Sequence, residues 1–317
     1  GFDTWFGYLN QDHAHYYYPE YLDDDEGRLD IPGNSETREH YSHDLMMERA
    51  LRFIRQSAGR PFFFYGAFTL PHFSSLEEDP DGLTVPFSDP LPDRTWDLRS
   101  RKYASMVEML DRDVGRIIDQ IDQLDLGRDT LIIFTSENGG HRSIWKDFDT
   151  NGSLRGYKRC LLEGGIRVPF IARWPGVVPA GQVSDEIIAF QDILPTFAEF
   201  GGAETPDGLD GISAVEALLG GRKRNQHEFL YWDYGHCRDR YDQAVRMGRW
   251  KGIREGEGSP IQLFDLEADP GELNDIAGLH PMVISRIEAI MRKEAVPSKR
   301  YPVGEKYTGG PIWKKDQ

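Results

Sequence analysis

The segment Leu131-Ile132-Ile133-Phe134-Thr135-Ser136-Glu137-Asn138-Gly139 runs four apolar residues into a carboxylate and an amide. A short apolar run bounded by turn residues reads as a buried strand, and ligands of open α/β sheets collect where strands end. Glutamate beside asparagine offers a cation only oxygen, which suits a hard ion such as calcium. Asn-Gly is equally a common turn dipeptide, so the tripeptide takes its meaning from its surroundings.

Upstream, Tyr103, Met106, Leu110, Val114, Ile117, Ile121 and Leu124 recur at spacings of three and four, with Gly127 available as a stop. That spacing predicts an amphipathic helix over 103–124 that delivers the chain to the strand at 131–134. Farther back, the apolar run at 61–68 (Pro61, then Phe62 to Phe68) predicts another buried strand, followed directly by Thr69-Leu70-Pro71-His72. Downstream, the apolar stretch 168–174 follows the pair Gly164-Gly165 and predicts a third. Asp192 is placed to cap a helix reaching Phe200, where Gly201-Gly202 ends it. Strands alternating with helices predict a layered α/β sheet.

After about Gly221 the texture changes. Residues 243–247, 250–254 and 261–266 are short segments parted by Gly-containing turns, which predicts an antiparallel meander, and a helix is expected over about 281–293. The expected division is a core over 1–221 and a small C-terminal α+β subdomain over 222–317. From Val296 onward a tail is rich in lysine, proline and glycine.

The chain has 317 residues, 39% hydrophobic and 12% aromatic, enough for a large core with an appended unit. With 37 basic and 53 acidic side chains its net charge is −16, which argues against nucleic acid or an anionic membrane as partner. An anionic substrate would need local positive charge. Cys160 and Cys237 are too few for a disulfide framework and lack metal-ligand spacing. No run approaches the ~18 apolar residues of a membrane span, and no signal peptide is visible. The opening Gly1-Phe2-Asp3-Thr4-Trp5 has no initiator methionine and reads as the middle of a protein.

Local positive charge is found at Arg155, Lys158 and Arg159, on a glycine-punctuated loop ahead of the 168–174 strand. Taken alone, this is an anion site or a solvated charged loop with equal ease. His72, taken alone, is a histidine ending a strand, and His141 a polar turn residue near Gly139. His13 and His15, ahead of Tyr16 to Tyr18, read as part of a packed aromatic loop in preference to a pocket lining.

The segments GFDTWFGYLNQDHAHYYYPEYL (1–22), FFFYGAFTLPH (62–72), LIIFTSENGGH (131–141), LRGYKRCLLEGGIRVPFIARWPG (154–176), QAVRMGRWKGI (243–253) and LFDLEADPGE (263–272) occur in an order that resembles the type I sulfatases of the alkaline phosphatase superfamily. The resemblance spans nearly the whole chain, and the 154–176 stretch is similar to that of bacterial sulfatases acting on carbohydrates. It implies an alkaline-phosphatase-like sheet sandwiched by helices. It also implies sulfate-ester hydrolysis by a formylglycine made from Cys or Ser in a C/S-x-P/A-S-R motif, with calcium orienting the sulfate. By the same resemblance Glu137 and Asn138 match the later pair of calcium ligands, with Glu where Asp is usual. His72 matches the histidine near the bridging oxygen, and Lys158 the lysine that contacts the sulfate and the departing oxygen. His141 and Arg155 are implied as sugar or sulfate contacts.

Neither cysteine nor any serine of this chain stands in the C/S-x-P/A-S-R context, and the early Asp-Asp ligands and the Gly-Lys-Trp-His-like motif are also missing. Truncation of an N-terminal part of about a hundred residues accounts for the joint loss. The expected function is therefore that of a parent sulfatase acting on a sulfated saccharide or other small sulfate ester, exported to the periplasm or the extracellular space. The competing readings are an inactive remnant that at most binds sulfated glycans, and a phosphodiesterase or phosphatase of the same superfamily. The latter favours zinc with several Asp and His ligands, a pattern that Glu137-Asn138 and Lys158 do not follow.

Overall fold

A computed structural model of the chain describes residues 1–74, 82–88, 90–142, 148–222, 225–235, 240–296, 298 and 303. The backbone divides into two compact units, Gly1–Thr130 and Leu131–Gln317.

In the first unit, β1 (Phe6–Gly7), β2 (Tyr21–Asp24) and β3 (Gly27–Asp30) pair as an antiparallel sheet in that order. Helix α1 (Ser42–Ser57) buries Met47, Ala50, Leu51 and Ile54, a three-and-four spacing that gives it one apolar face. That face meets α2 (Leu98–Gln123), which buries Met106, Met109, Ile117 and Ile121. Helix α2 starts ahead of its apolar pattern because the Asp97 carboxylate accepts from Ser100 N at 2.9 Å and caps it. It ends without the expected glycine. Asp125 takes the left-handed conformation, φ 58°, and Gly127 opens a 3-10 turn. Between the helices, the His43 imidazole lies 3.0 Å from the Asp113 carboxylate, both fully buried.

Residues 61–68 depart from the expected buried strand. Among the described residues they pair with no other strand, and Phe63 and Tyr65 are 56% and 69% exposed. Their neighbours Phe62 and Phe64 pack on Phe53 of α1. The physical reason is that α1 covers one face of the run only, so its period-two alternation shows as alternate exposure. The run leads into Leu70-Pro71-His72, a turn with a cis Leu70–Pro71 peptide in which His72 N donates to Thr69 O at 2.8 Å.

In the second unit, β4 (Ile132–Thr135) pairs antiparallel with β5 (Phe170–Arg173), Ile133 opposite Ala172. Both strands are largely half-buried, not buried as expected, and Ile171 is 61% exposed. The helix-sandwiched wide sheet is likewise not assembled among the described residues, where β4 and β5 form a two-stranded pair. What the chain does show is a mixed α/β architecture with a C-terminal antiparallel sheet. Helix α3 (Glu163–Ile166) precedes β5, and α4 (Ile193–Gly201) ends at Gly202 in the left-handed conformation that glycine adopts without strain. Asp192 does not cap α4. Its buried carboxylate instead accepts from Ala189 N, Ile212 N and His227 Nε2, tying three segments together. Helix α5 (Val215–Leu218) follows.

The meander is a four-stranded antiparallel sheet of β6 (Leu230–Tyr234), β7 (Asp242–Met247), β8 (Trp250–Glu255) and β9 (Gln262–Asp265), packed by α6 (Pro281–Glu294). Strand alternation sends Val245 and Leu263 to the side where Ile287, Ile290 and Met291 of α6 are buried. Each such side chain contributes about 1.5–3 kcal/mol by leaving water. Ala244, Ile253 and Phe264 point to the other side, against Leu161, Leu162 and Ile166. The segment after Lys158 is therefore the second cover of the C-terminal sheet. The tail beyond Val296 and Cys237 lie outside the described residues, except for Ser298 and Val303.

Candidate functional site

Five of the six candidate residues, Glu137, Asn138, His141, Arg155 and Lys158, belong to the second unit; His72 belongs to the first.

Glu137 and Asn138 sit just past β4, with Asn138 Nδ2 donating to Glu137 Oε1 at 2.8 Å and Ser136 Oγ donating to Asn138 O at 3.2 Å. Strand β4 thus delivers an exposed carboxylate and a half-buried amide to one loop. The loop is fixed by backbone bonds to the glycine-rich segment: Gly139 N donates to Gly165 O, and Lys158 N donates to Gly140 O, each at 3.0 Å. Asn151 braces both, its Oδ1 accepting from Gly140 N at 2.8 Å and its Nδ2 donating to Gly156 O at 2.9 Å. These approaches leave no room for a side chain. A Cβ on Gly139 would fall 1.8 Å from Gly164 O, and one on Gly165 would fall 2.2 Å from Cys160 O. The glycines of this segment are spacers that let two loops share backbone bonds.

Lys158 is half-buried in this junction. Burial holds its ammonium below the usual lysine range, the Glu137 carboxylate opposes that shift, and Arg159 adds to it. Glu137 and Lys158 are therefore electrostatic neighbours, as the sequence alone could not show. Arg155 behaves differently. Its guanidinium lies 5.5 Å over the Phe264 ring of β9, near Asp269, whose carboxyl is held below its usual range against burial chiefly by hydrogen bonds from Asn274 and Leu273, with Arg155 a lesser contribution. His141 is half-buried one residue before Arg142, whose guanidinium lies 5.6 Å over Tyr157. Cys160 is held by Tyr157, its thiol donating to Tyr157 O and its sulfur accepting from Tyr157 N.

In the first unit, His72 follows the turn after residues 61–68. Its Nδ1 faces Phe73 O at 2.8 Å, and since a carbonyl only accepts, Nδ1 carries the hydrogen. The basic nitrogen of the neutral ring is then Nε2. Tyr17, 1% exposed, donates to His72 O at 2.7 Å and fixes the turn, and burial pushes its phenol well above the usual range.

Sequence reasoning missed the braces. Lys251 of β8 is fully buried, its Nζ 2.8 Å from Glu163 Oε1 and 3.0 Å from Glu272 Oε1, while Glu272 Oε2 accepts from Glu163 N at 2.6 Å. Arg246 Nη1 stands 3.6 Å from Glu163 Oε2. This cluster fastens the Lys158 segment to the C-terminal sheet. One signal was legible: a lysine in β8 on the strand face that also carries Ile253.

For a cation, Glu137 and Asn138 supply one carboxylate and one amide, a donor set of oxygen that fits calcium in kind. Calcium takes about six to eight oxygens, and among the described residues there is no group of three or more His, Cys, Asp or Glu that could hold a metal. The pair fits as part of a site. No described helix is long and apolar enough to cross a membrane.

The sulfatase family model matches residues 1–203, and that of the N-sulphoglucosamine sulphohydrolase C-terminal region matches residues 155–296. The chain is 34% identical over 289 residues to the steryl-sulfatase of Mus musculus, covering 78% of this chain and 43% of that protein. It is 31% identical over 296 residues to arylsulfatase A of Homo sapiens, covering 84% and 54%. The chain thus spans about half the length of the curated relatives it matches. The crystal structure of Ps i-CgsB superposes with a TM-score of 0.74 at 26% identity, over 92% of this chain and 66% of that one. An alkaline-phosphatase-like sulfatase fold follows, and the chain belongs to the sulfatase family.

Proposed function

We propose that this chain is part of a calcium-dependent sulfuric ester hydrolase that removes sulfate from a sulfated saccharide. The observation that carries the reading is the junction where Lys158 N bonds Gly140 O, bringing a lysine ammonium beside the Glu137-Asn138 loop. Calcium, when bound, would neutralise and orient a sulfate oxygen. Glu137 and Asn138 are the residues of this chain that would hold it. Lys158 is proposed to offset the negative charge that grows on the sulfate and the departing oxygen. By the family resemblance His72, with Nε2 as its basic nitrogen, is proposed for proton transfer. A formylglycine, made from a Cys or Ser outside these 317 residues, is the proposed nucleophile. His141 is proposed as a sugar or sulfate contact, and Arg155 as a weaker one, given its place over Phe264. Ps i-CgsB has been solved with k-i-k-neocarrahexaose, which supports a saccharide as the substrate class here. Periplasmic or extracellular location is proposed with it.

The test is sulfate release by the full-length protein from a panel of sulfated saccharides, with calcium present and after chelation. Turnover that falls on chelation is expected, as is loss of about 10²–10³-fold in kcat for Lys158→Ala. Phosphate release without sulfate release would move the protein to the phosphatase reading. Full activity in Lys158→Ala would remove that residue from the mechanism.

A further inference from the structure

His13 and His15 share one 3-10 turn, His13–His15, yet their rings go to different places. His13 is enclosed by Tyr8 and Tyr21, with ring centroids 5.0 and 4.3 Å away, and is part of a packed aromatic loop. His15 instead sets its ring against His72, with centroids 5.0 Å apart and planes at 66°. Both rings are half-buried. His15 Nδ1 faces Gln11 O at 2.7 Å as His72 Nδ1 faces Phe73 O, so each ring carries its hydrogen on Nδ1 and has Nε2 as the basic nitrogen. Two residues after His15, the Tyr17 hydroxyl bonds the His72 carbonyl. The two imidazoles therefore belong to one rigid arrangement with the same tautomer.

With the hydrogen on Nδ1, the Nε2 of each ring is a hydrogen-bond acceptor in that tautomer. In a sugar sulfate, the hydroxyl on the carbon next to the ester oxygen is a donor that such a nitrogen can accept from. Resting on the sulfatase reading, we infer that His15 is a specificity-determining residue that touches the substrate, its Nε2 accepting a hydrogen bond from the saccharide hydroxyl next to the sulfated position while His72 serves the bridging oxygen.

The test compares two substrates of the full-length protein: the sulfated monosaccharide that it cleaves best, and 4-nitrophenyl sulfate, which has no such hydroxyl. His15→Ala is expected to lower kcat/KM for the saccharide by about ten- to a hundred-fold, the range of one lost buried hydrogen bond. It should leave 4-nitrophenyl sulfate within about three-fold. His15→Phe keeps a ring against His72 without a nitrogen and should show the same split. His15→Gln, which returns an acceptor near the Nε2 position, should recover part of the loss. Equal losses on both substrates in His15→Phe, or no loss on the saccharide, would overturn the assignment while leaving the sulfatase reading intact. A wild-type protein that releases sulfate from neither substrate would instead overturn the sulfatase reading, and this inference with it.

Discussion

Replacing Lys251 by methionine removes the only ammonium from a cluster of two buried carboxylates. The side chains of Lys251, Glu163 and Glu272 are 0%, 3% and 0% exposed, so water cannot take the place of the lost charge. Breaking a buried pair on one side costs about 3–5 kcal/mol. Arg246, 3.6 Å from Glu163 Oε2, remains to compensate Glu163, so the expectation lies toward the lower end, about 3–4 kcal/mol, with Glu272 as the uncompensated charge. For a unit of this size each kcal/mol shifts Tm by about 2–4 °C, giving a fall of about 6–16 °C. Burial already holds the Glu272 carboxyl above its usual range despite Lys251, and the substitution raises it further. A carboxyl whose pKa is higher folded than unfolded costs stability fully above the folded value and nothing below the unfolded one. The deficit of the variant should therefore shrink as pH falls from neutral into the carboxylate range. Calorimetry at neutral and acidic pH reads both effects, and Lys251→Met/Glu272→Gln should recover most of the loss. A Tm within about 1 °C of wild type at neutral pH would refute the reasoning.

Two further outcomes are expected. Asp113→Ala should cost about 3 kcal/mol in urea unfolding, because the buried carboxylate accepts from Arg112, Arg116 and His43, and the His43 ring would be left unpaired. Gly139→Ala should lower Tm by several degrees, since its Cβ meets Gly164 O at 1.8 Å and the backbone must move; a neutral substitution would show that the two loops are not fixed as described.

The elements that were legible in the sequence are those whose period matches a single covering surface. Helix α2 and helix α6 each bury one stripe, and β7, β8 and β9 alternate between two covered faces, so their apolar spacing states their structure. Residues 61–68 and β4 misled for a related reason: an unbroken apolar run implies cover on both faces, and among the described residues that cover is partial. Helix α1 has the same kind of spacing in Met47, Ala50, Leu51 and Ile54. The Asp192 reading failed differently. A cap and a three-way tie use the same acceptor oxygens, and only the fold decides which donors arrive.

The same distinction separates the candidate residues from the residues that hold them. Glu137, Asn138, Lys158 and His72 have sequence neighbours that suggest a strand-end carboxylate, a cation in a glycine loop and a strand-end histidine, and it is the order of the motifs resembling sulfatases that implies their roles. Asn151, Tyr17 and the Lys251 cluster act over distance, as with Glu163 and Glu272, which are 109 residues apart and joined by a 2.6 Å bond. Such pairings leave no spacing to read. They show only as a local rule broken, in this case a lysine on the strand face of β8 that also carries Ile253, with two acidic residues elsewhere that bury with it. A charge on a covered strand face is therefore a sign of a distant partner. In this chain the partner fastens the Lys158 segment to the C-terminal sheet, which is how a protein of net charge −16 keeps a cation positioned beside a carboxylate loop.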